Sequence, residues 1–93
     1  MPSTSEPLRR DVTIVNDLGL HARAAAKLAK AAQQAGDKVW LAFGPERIDA
    51  KQVIDILTLA AAKGDKVTVM VEKADDMDIL DHIIALFKDG FGE

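Results

Sequence analysis

"DVTIVNDLGLHARAAAKLAK", residues 11–30, is the stretch that decides the fold. Its first six residues are largely β-branched and bounded by polar ones, which predicts a strand over 11–16. "DLGL" follows, with a glycine suited to a turn. From Ala22 to Ala35 the chain uses alanine, leucine, lysine and glutamine without a proline, and Gly36 stands where a C-terminal cap belongs, so a helix is expected there. Ala25, Leu28, Ala29 and Ala32 repeat at i, i+3, i+4, i+7, giving a narrow face of small side chains that can lie close to a sheet. A strand, a turn and a helix therefore meet at one histidine, His21.

The rest of the chain supplies partners for that unit. "DKVWLAF", 37–43, predicts a strand with Val39, Leu41 and Phe43 on one face, and "GPE" turns it into a short strand around Ile48. "KQVIDILTLAAAKG", 51–64, predicts a second helix ending at Gly64, and "DKVTVMVE", 65–72, a strand with Val67, Val69 and Val71 on one side. "DDMDILDHIIALFKDG", 75–90, opens with acids and closes with Lys88 and Gly90, the polarity of a third helix. The order is β-α-β-β-α-β-α. One-sided valine faces imply an α+β fold: a four-stranded antiparallel sheet with three helices on one face and the other face open to water.

Ninety-three residues with 48% hydrophobic content suit one domain with one core, divided here as a loose arm, 1–10, and a domain, 11–93. The formal charge of −3 argues against sequence-independent nucleic-acid binding. There is no cysteine, and His82 is far from His21 in sequence, so no metal site and no cofactor are expected. "MPSTSEPLRR" has no apolar run of a secretion signal, and "LTLAAA" is far short of the roughly 20 residues that span a bilayer. A cytoplasmic monomer is the expectation.

His21 follows a turn and precedes a helix, beside backbone N–H groups of Ala22 and Arg23 that lack intrahelical acceptors. Such groups, with the helix dipole, bind anions, and Arg23 adds a permanently charged planar fork on the same turn. Neutral imidazole is also a nucleophile. A phosphorylated histidine fits this chemistry; a polar surface histidine is the ordinary alternative. Arg23, Lys27 and Lys30, at i, i+4 and i+7, form a basic stripe that could meet an acidic partner or simply be solvated. On helix two, Ile56, Leu59 and Ala60 cluster on one side, while Val53, Ile54 and Leu57 extend the apolar arc beyond what one sheet face can cover. They are either an exposed docking patch or the flank of a wide core helix. No second acid, base or metal cluster accompanies His21, which argues against an enzyme; Asp17 nearby is as readily a turn residue.

"LGLHARAAAKLA", "AKQVIDILTLAAAKGD" and "IALFKDGFGE" resemble, in order and spacing, the three signature regions of HPr, the histidine-containing phosphocarrier family of the bacterial phosphoenolpyruvate-dependent phosphotransferase system. The resemblance spans 11–93 and implies an open-faced β-sandwich. It implies that Nδ1 of His21 accepts phosphate from Enzyme I and passes it to an EIIA-type domain, and that Arg23 is the active-site arginine. It implies that Leu20, Lys27, Lys30, Val53, Ile54 and Leu57 contribute to one docking surface shared by both partners. The family commonly has proline after the arginine, where this chain has Ala24, and many relatives have a regulatory serine where this chain has Gln52, which has no hydroxyl. A regulator that keeps the fold and binds a partner without onward transfer is the other reading; retention of both His21 and Arg23 favours the carrier.

Overall fold

The computed structural model describes residues 8–93. Seven regular elements run in the expected order: β1 (Arg9–Thr13), α1 (Ala22–Ala32), β2 (Val39–Phe43), β3 (Glu46–Asp49), α2 (Val53–Thr58), β4 (Lys66–Val71) and α3 (Met77–Lys88). The strands form one antiparallel sheet in the order β1-β4-β2-β3. Register follows the valine pattern: Val12 pairs with Val67, Leu41 with Val69 and Val39 with Val71, and these residues are buried in a single core with residues of all three helices. Thr68, Met70, Trp40 and Ala42 alternate with them on the open face and are half-buried. This is the open-faced sandwich. One stacked pair and one hydrogen bond finish the open face: the Arg47 guanidinium lies 4.2 Å over the Trp40 ring, whose Nε1 donates to Glu72 at 2.6 Å.

Four boundaries differ from expectation. Of the expected arm, residues 1–7 lie outside the described residues, whereas Arg9 and Arg10 already pair with Met70 and Val69 in the sheet. The regular ladder of β1 ends at Thr13, and Ile14 continues it by donating to Asp65 O at 2.9 Å and accepting from Gly64 N–H at 2.8 Å. Helix α1 stops at Ala32, not Ala35, because the next turn tightens to i→i+3 bonds at Gln34 and Ala35. Gly36 does not act as a left-handed cap; its N–H donates to the Asp76 carboxylate at 2.9 Å.

The largest departure is α2, which covers six residues and ends at Thr58 although "LAAA" after it favours a helix. Ala60 takes a left-handed φ of 53° and is exposed, not on the core side as expected, and the chain reverses so that Ala61 is buried. The reversal serves the turn before His21. Ala61 O accepts the Leu20 N–H at 3.1 Å, and Gly19, with φ +64°, approaches so closely that a Cβ there would stand 2.7 Å from Ala61 O and 2.8 Å from Ala62 Cα. No helix among the described residues is long and apolar enough to cross a membrane.

Candidate functional site

His21 is the N-cap of α1, in an extended conformation with φ −73° and ψ 179°. Its carbonyl accepts the Ala25 N–H at 2.8 Å, and its ring Nδ1 accepts the Arg23 N–H at 3.3 Å. A nitrogen that accepts carries a lone pair, so in the neutral ring the proton sits on Nε2. Nδ1 thus faces the helix N-terminus, where backbone N–H donors and the positive end of the dipole converge.

The turn that aims the ring is built from two contacts. Gly19 N–H donates to Asn16 O at 3.1 Å, and Asn16 Nδ2 donates back to Gly19 O at 2.7 Å. Asn16 is 6% exposed, and its Oδ1 has no hydrogen-bond partner among the described residues. Gly19 is pressed onto residues 61–62 and Leu20 N–H donates to Ala61 O, which fixes the turn against the loop after α2 just before α1 begins.

Glu93 completes the site, and sequence reading did not find it. Its Oε1 lies 3.1 Å from Arg23 Nη1 and 3.8 Å from His21 Nε2; its Oε2 lies 3.5 Å from Lys27 Nζ. The histidine separation is too long for a hydrogen bond, so Nε2 is buried with no hydrogen-bond partner among the described residues. Gly90, Phe91 and Gly92 bring the acid there by taking three successive left-handed φ angles, 63°, 57° and 73°. Phe91 tolerates this strained backbone because its ring is buried edge-on against Phe87, centroids 4.8 Å apart, while its carbonyl accepts from Lys27 Nζ at 2.7 Å. The only signal in the sequence was "GFGE": glycines around an aromatic, then an acid.

The expected residues divide into three groups. Ala22 and Arg23 sit at the first turn of α1 and are exposed, with Lys27 one turn on. Lys27 is tied to Phe91 and Glu93, and with Lys30 it lines a groove between α1 and α3 alongside Ala31, Gln34, His82 and Leu86. On α2, Ile54 is 71% exposed and Leu57 36%, a surface patch, whereas Val53 is half-buried against the core. Leu20 corrects the expectation: it is 4% exposed and belongs to the core, because the Ala61 clamp turns it inward. Ala24 is fully buried under the first turn, and Gln52 is the N-cap of α2 with no side-chain cap bond. Val15 and Leu18, 48% and 72% exposed, add apolar surface on the turn before His21 that the pattern did not suggest.

A histidine nitrogen held at a helix start and served by cations, with no second acid–base pair beside it among the described residues, suits a carrier of a phosphoryl group, a class of protein distinct from enzymes. The comparisons agree. The family model described as "PTS HPr component phosphorylation site" matches residues 8–89, and the chain belongs to the PTS HPr family of phosphocarrier proteins. It is 40% identical over 86 residues to the phosphocarrier protein HPr of Cupriavidus necator, covering 92% of this chain and 97% of that one. It is 38% identical over 86 residues to the phosphocarrier protein NPr of Shewanella violacea, covering 92% and 94%. The crystal structure of HPr from Thermoanaerobacter tengcongensis superposes with a TM-score of 0.86 at 27% identity, covering 91% of this chain and 96% of that one.

Proposed function

We propose that His21 is the residue that carries the phosphoryl group, taking it on Nδ1 from phospho-Enzyme I and handing it to an EIIA-type domain. The observation that carries this reading is the Arg23 N–H to Nδ1 contact, which keeps the proton on Nε2 and leaves the Nδ1 lone pair toward the helix N-terminus. In transfer, that lone pair forms the new N–P bond as the bond from phosphorus to the donor breaks. The phosphoryl oxygens then replace Nδ1 as acceptor for the Arg23 N–H and take up the Ala22 N–H beside it. Arg23, 71% exposed at its side chain, swings onto the same oxygens by releasing Glu93. A loose transition state needs charge stabilisation and alignment more than covalent assistance, and this site offers that much. Ion pairs at an exposed site are weak, so the group is held loosely enough to leave again.

Ile54 and Leu57, with part of Val53, form the apolar surface on which both partners dock in turn, and Lys27 and Lys30 add positive charge for acidic partner surfaces. Purified protein incubated with phosphoenolpyruvate and Enzyme I gains a single acid-labile phosphoryl adduct by intact mass; no adduct would overturn the assignment. Gln52, without a hydroxyl, makes this position silent to a serine-directed kinase. The nearest hydroxyl on α2, Thr58 Oγ1, is engaged in donating to Asp55 O at 2.5 Å. With ATP and HPr kinase, an acid-stable adduct on α2 would refute this silence.

A further inference from the structure

A cleft of about 340 Å³ beside the histidine is lined by Val15, Asn16, Asp17, Leu18 and Glu93. We propose that it receives a cationic side chain, arginine or lysine, from the protein that docks over His21, and that this cation draws Glu93 off the phosphate-holding groups. The proposal rests on the reading of His21 as the phosphoryl carrier.

Four features point to a cation on an aliphatic stem. Two acids wall the cleft, although the α1 side of the site is basic. Asp17 already holds one cation, Lys63 Nζ at 2.8 Å, and that hydrogen bond keeps its carboxyl below the usual carboxylate range and therefore charged. Asn16, nine-tenths buried in the cleft wall, has an Oδ1 acceptor with no donor among the described residues, and a guanidinium or ammonium is nothing but donors. Val15 and Leu18 expose apolar surface at the rim, where the methylenes of a long basic side chain pack.

The consequence for transfer lies in Glu93, which belongs to both the cleft and the site. Unbound, its carboxylate occupies Arg23 and Lys27 and stands 3.8 Å from His21 Nε2, a negative charge where another is to arrive. A partner cation in the cleft competes for that carboxylate from the other side. Docking and uncovering of the anion site thereby become one event, and a free phosphate ion, which brings no cation, does not trigger it.

Initial rates of transfer from phospho-Enzyme I, measured against concentration of this protein, test the idea. Asp17→Lys raises KM about fivefold to tenfold with kcat within about twofold, and added salt narrows the difference. Leu18→Glu raises KM in the same way. Lys63→Met, which frees Asp17, lowers KM about twofold. Glu46→Lys, an equal charge change on the β2–β3 hairpin, leaves KM unchanged. Asp17, Leu18, Lys63 and Glu46 are all exposed, so thermal midpoints should match wild type and confirm folding. Wild-type KM in Asp17→Lys, or an equal rise in Glu46→Lys, overturns the cleft. A wild-type chain that takes no phosphoryl group overturns instead the carrier reading of His21.

Discussion

Each end of α1 meets a carboxylate delivered from a distant part of the chain, and the two are held differently. At the C-terminal end, Asp76 is 7% exposed and accepts from the Gly36 and Asp37 N–H groups at 2.9 and 3.1 Å. Both of its oxygens are engaged, and the loop after α1 is fixed to the start of α3. At the N-terminal end, Glu93 faces Arg23, Lys27 and His21 at 3.1, 3.5 and 3.8 Å, and the nearest imidazole nitrogen has no hydrogen bond among the described residues. A buried carboxylate on two backbone donors contributes stability and cannot be exchanged cheaply. A carboxylate paired with largely exposed cations contributes little stability and can give way to another anion. One end of the helix is closed, and the other is built for replacement.

His21→Ala tests the contrast most severely. Phosphoryl incorporation should vanish completely while the urea midpoint shifts by no more than about 1 kcal/mol, the ordinary cost of losing a cap. Asp76→Ala should do the reverse. Leaving the Gly36 and Asp37 N–H groups without their charged acceptor costs about 2 kcal/mol of stability, with the rate of phosphorylation unchanged below the unfolding transition. A slower transfer in Asp76→Ala would mean that the two ends are coupled through α1. Arg23→Ala should slow transfer about tenfold, equivalent to about 1.4 kcal/mol, without lowering the thermal midpoint, because the guanidinium is mostly exposed.

Smaller effects sharpen the same distinction. Glu93→Gln removes the competing anion, so inorganic phosphate titrated against the His21 ring resonances should bind about twofold to threefold more tightly. Tighter binding there, with no change at Asp76→Ala, would confirm that only the N-terminal carboxylate shares its place with ligand. Acid titration gives the smallest signal. Asp17 and Asp37 have pKa values lowered from 3.8, the first by the Lys63 hydrogen bond and the second by the Lys38 backbone N–H. A lowered folded-state value means that their stabilisation is present above the unfolded pKa and is lost as pH falls through the folded one. Wild type should therefore lose slightly more stability below about pH 4 than the Asp17→Asn, Asp37→Asn double variant, read from urea midpoints.

The acid run before α3 shows how far local reading goes. "DDMDIL" announces a helix start, and α3 does begin there, but Asp76 makes no cap bond and reaches back to the loop after α1. The residue type was legible and its partner was not. The same holds on α2, where alanine-rich sequence promises helix as far as Gly64 and the fold ends it at Thr58. Helix propensity is worth tenths of a kcal/mol per residue, and the close packing of Gly19 on Ala61 and Ala62 outweighs it.

By itself the sequence determined the element order, the inward faces of the strands, and the placement of His21 and Arg23 on one helical turn. All of these depend on neighbours within a few residues, where periodicity and capping chemistry act directly. Only the tertiary structure decided that Leu20 turns inward, that Ile54 and Leu57 remain outside, and that Glu93, 72 positions after His21, covers the imidazole. Those outcomes depend on long-range close approach and on a strained Gly-Phe-Gly hook anchored by one buried ring, which no local pattern encodes.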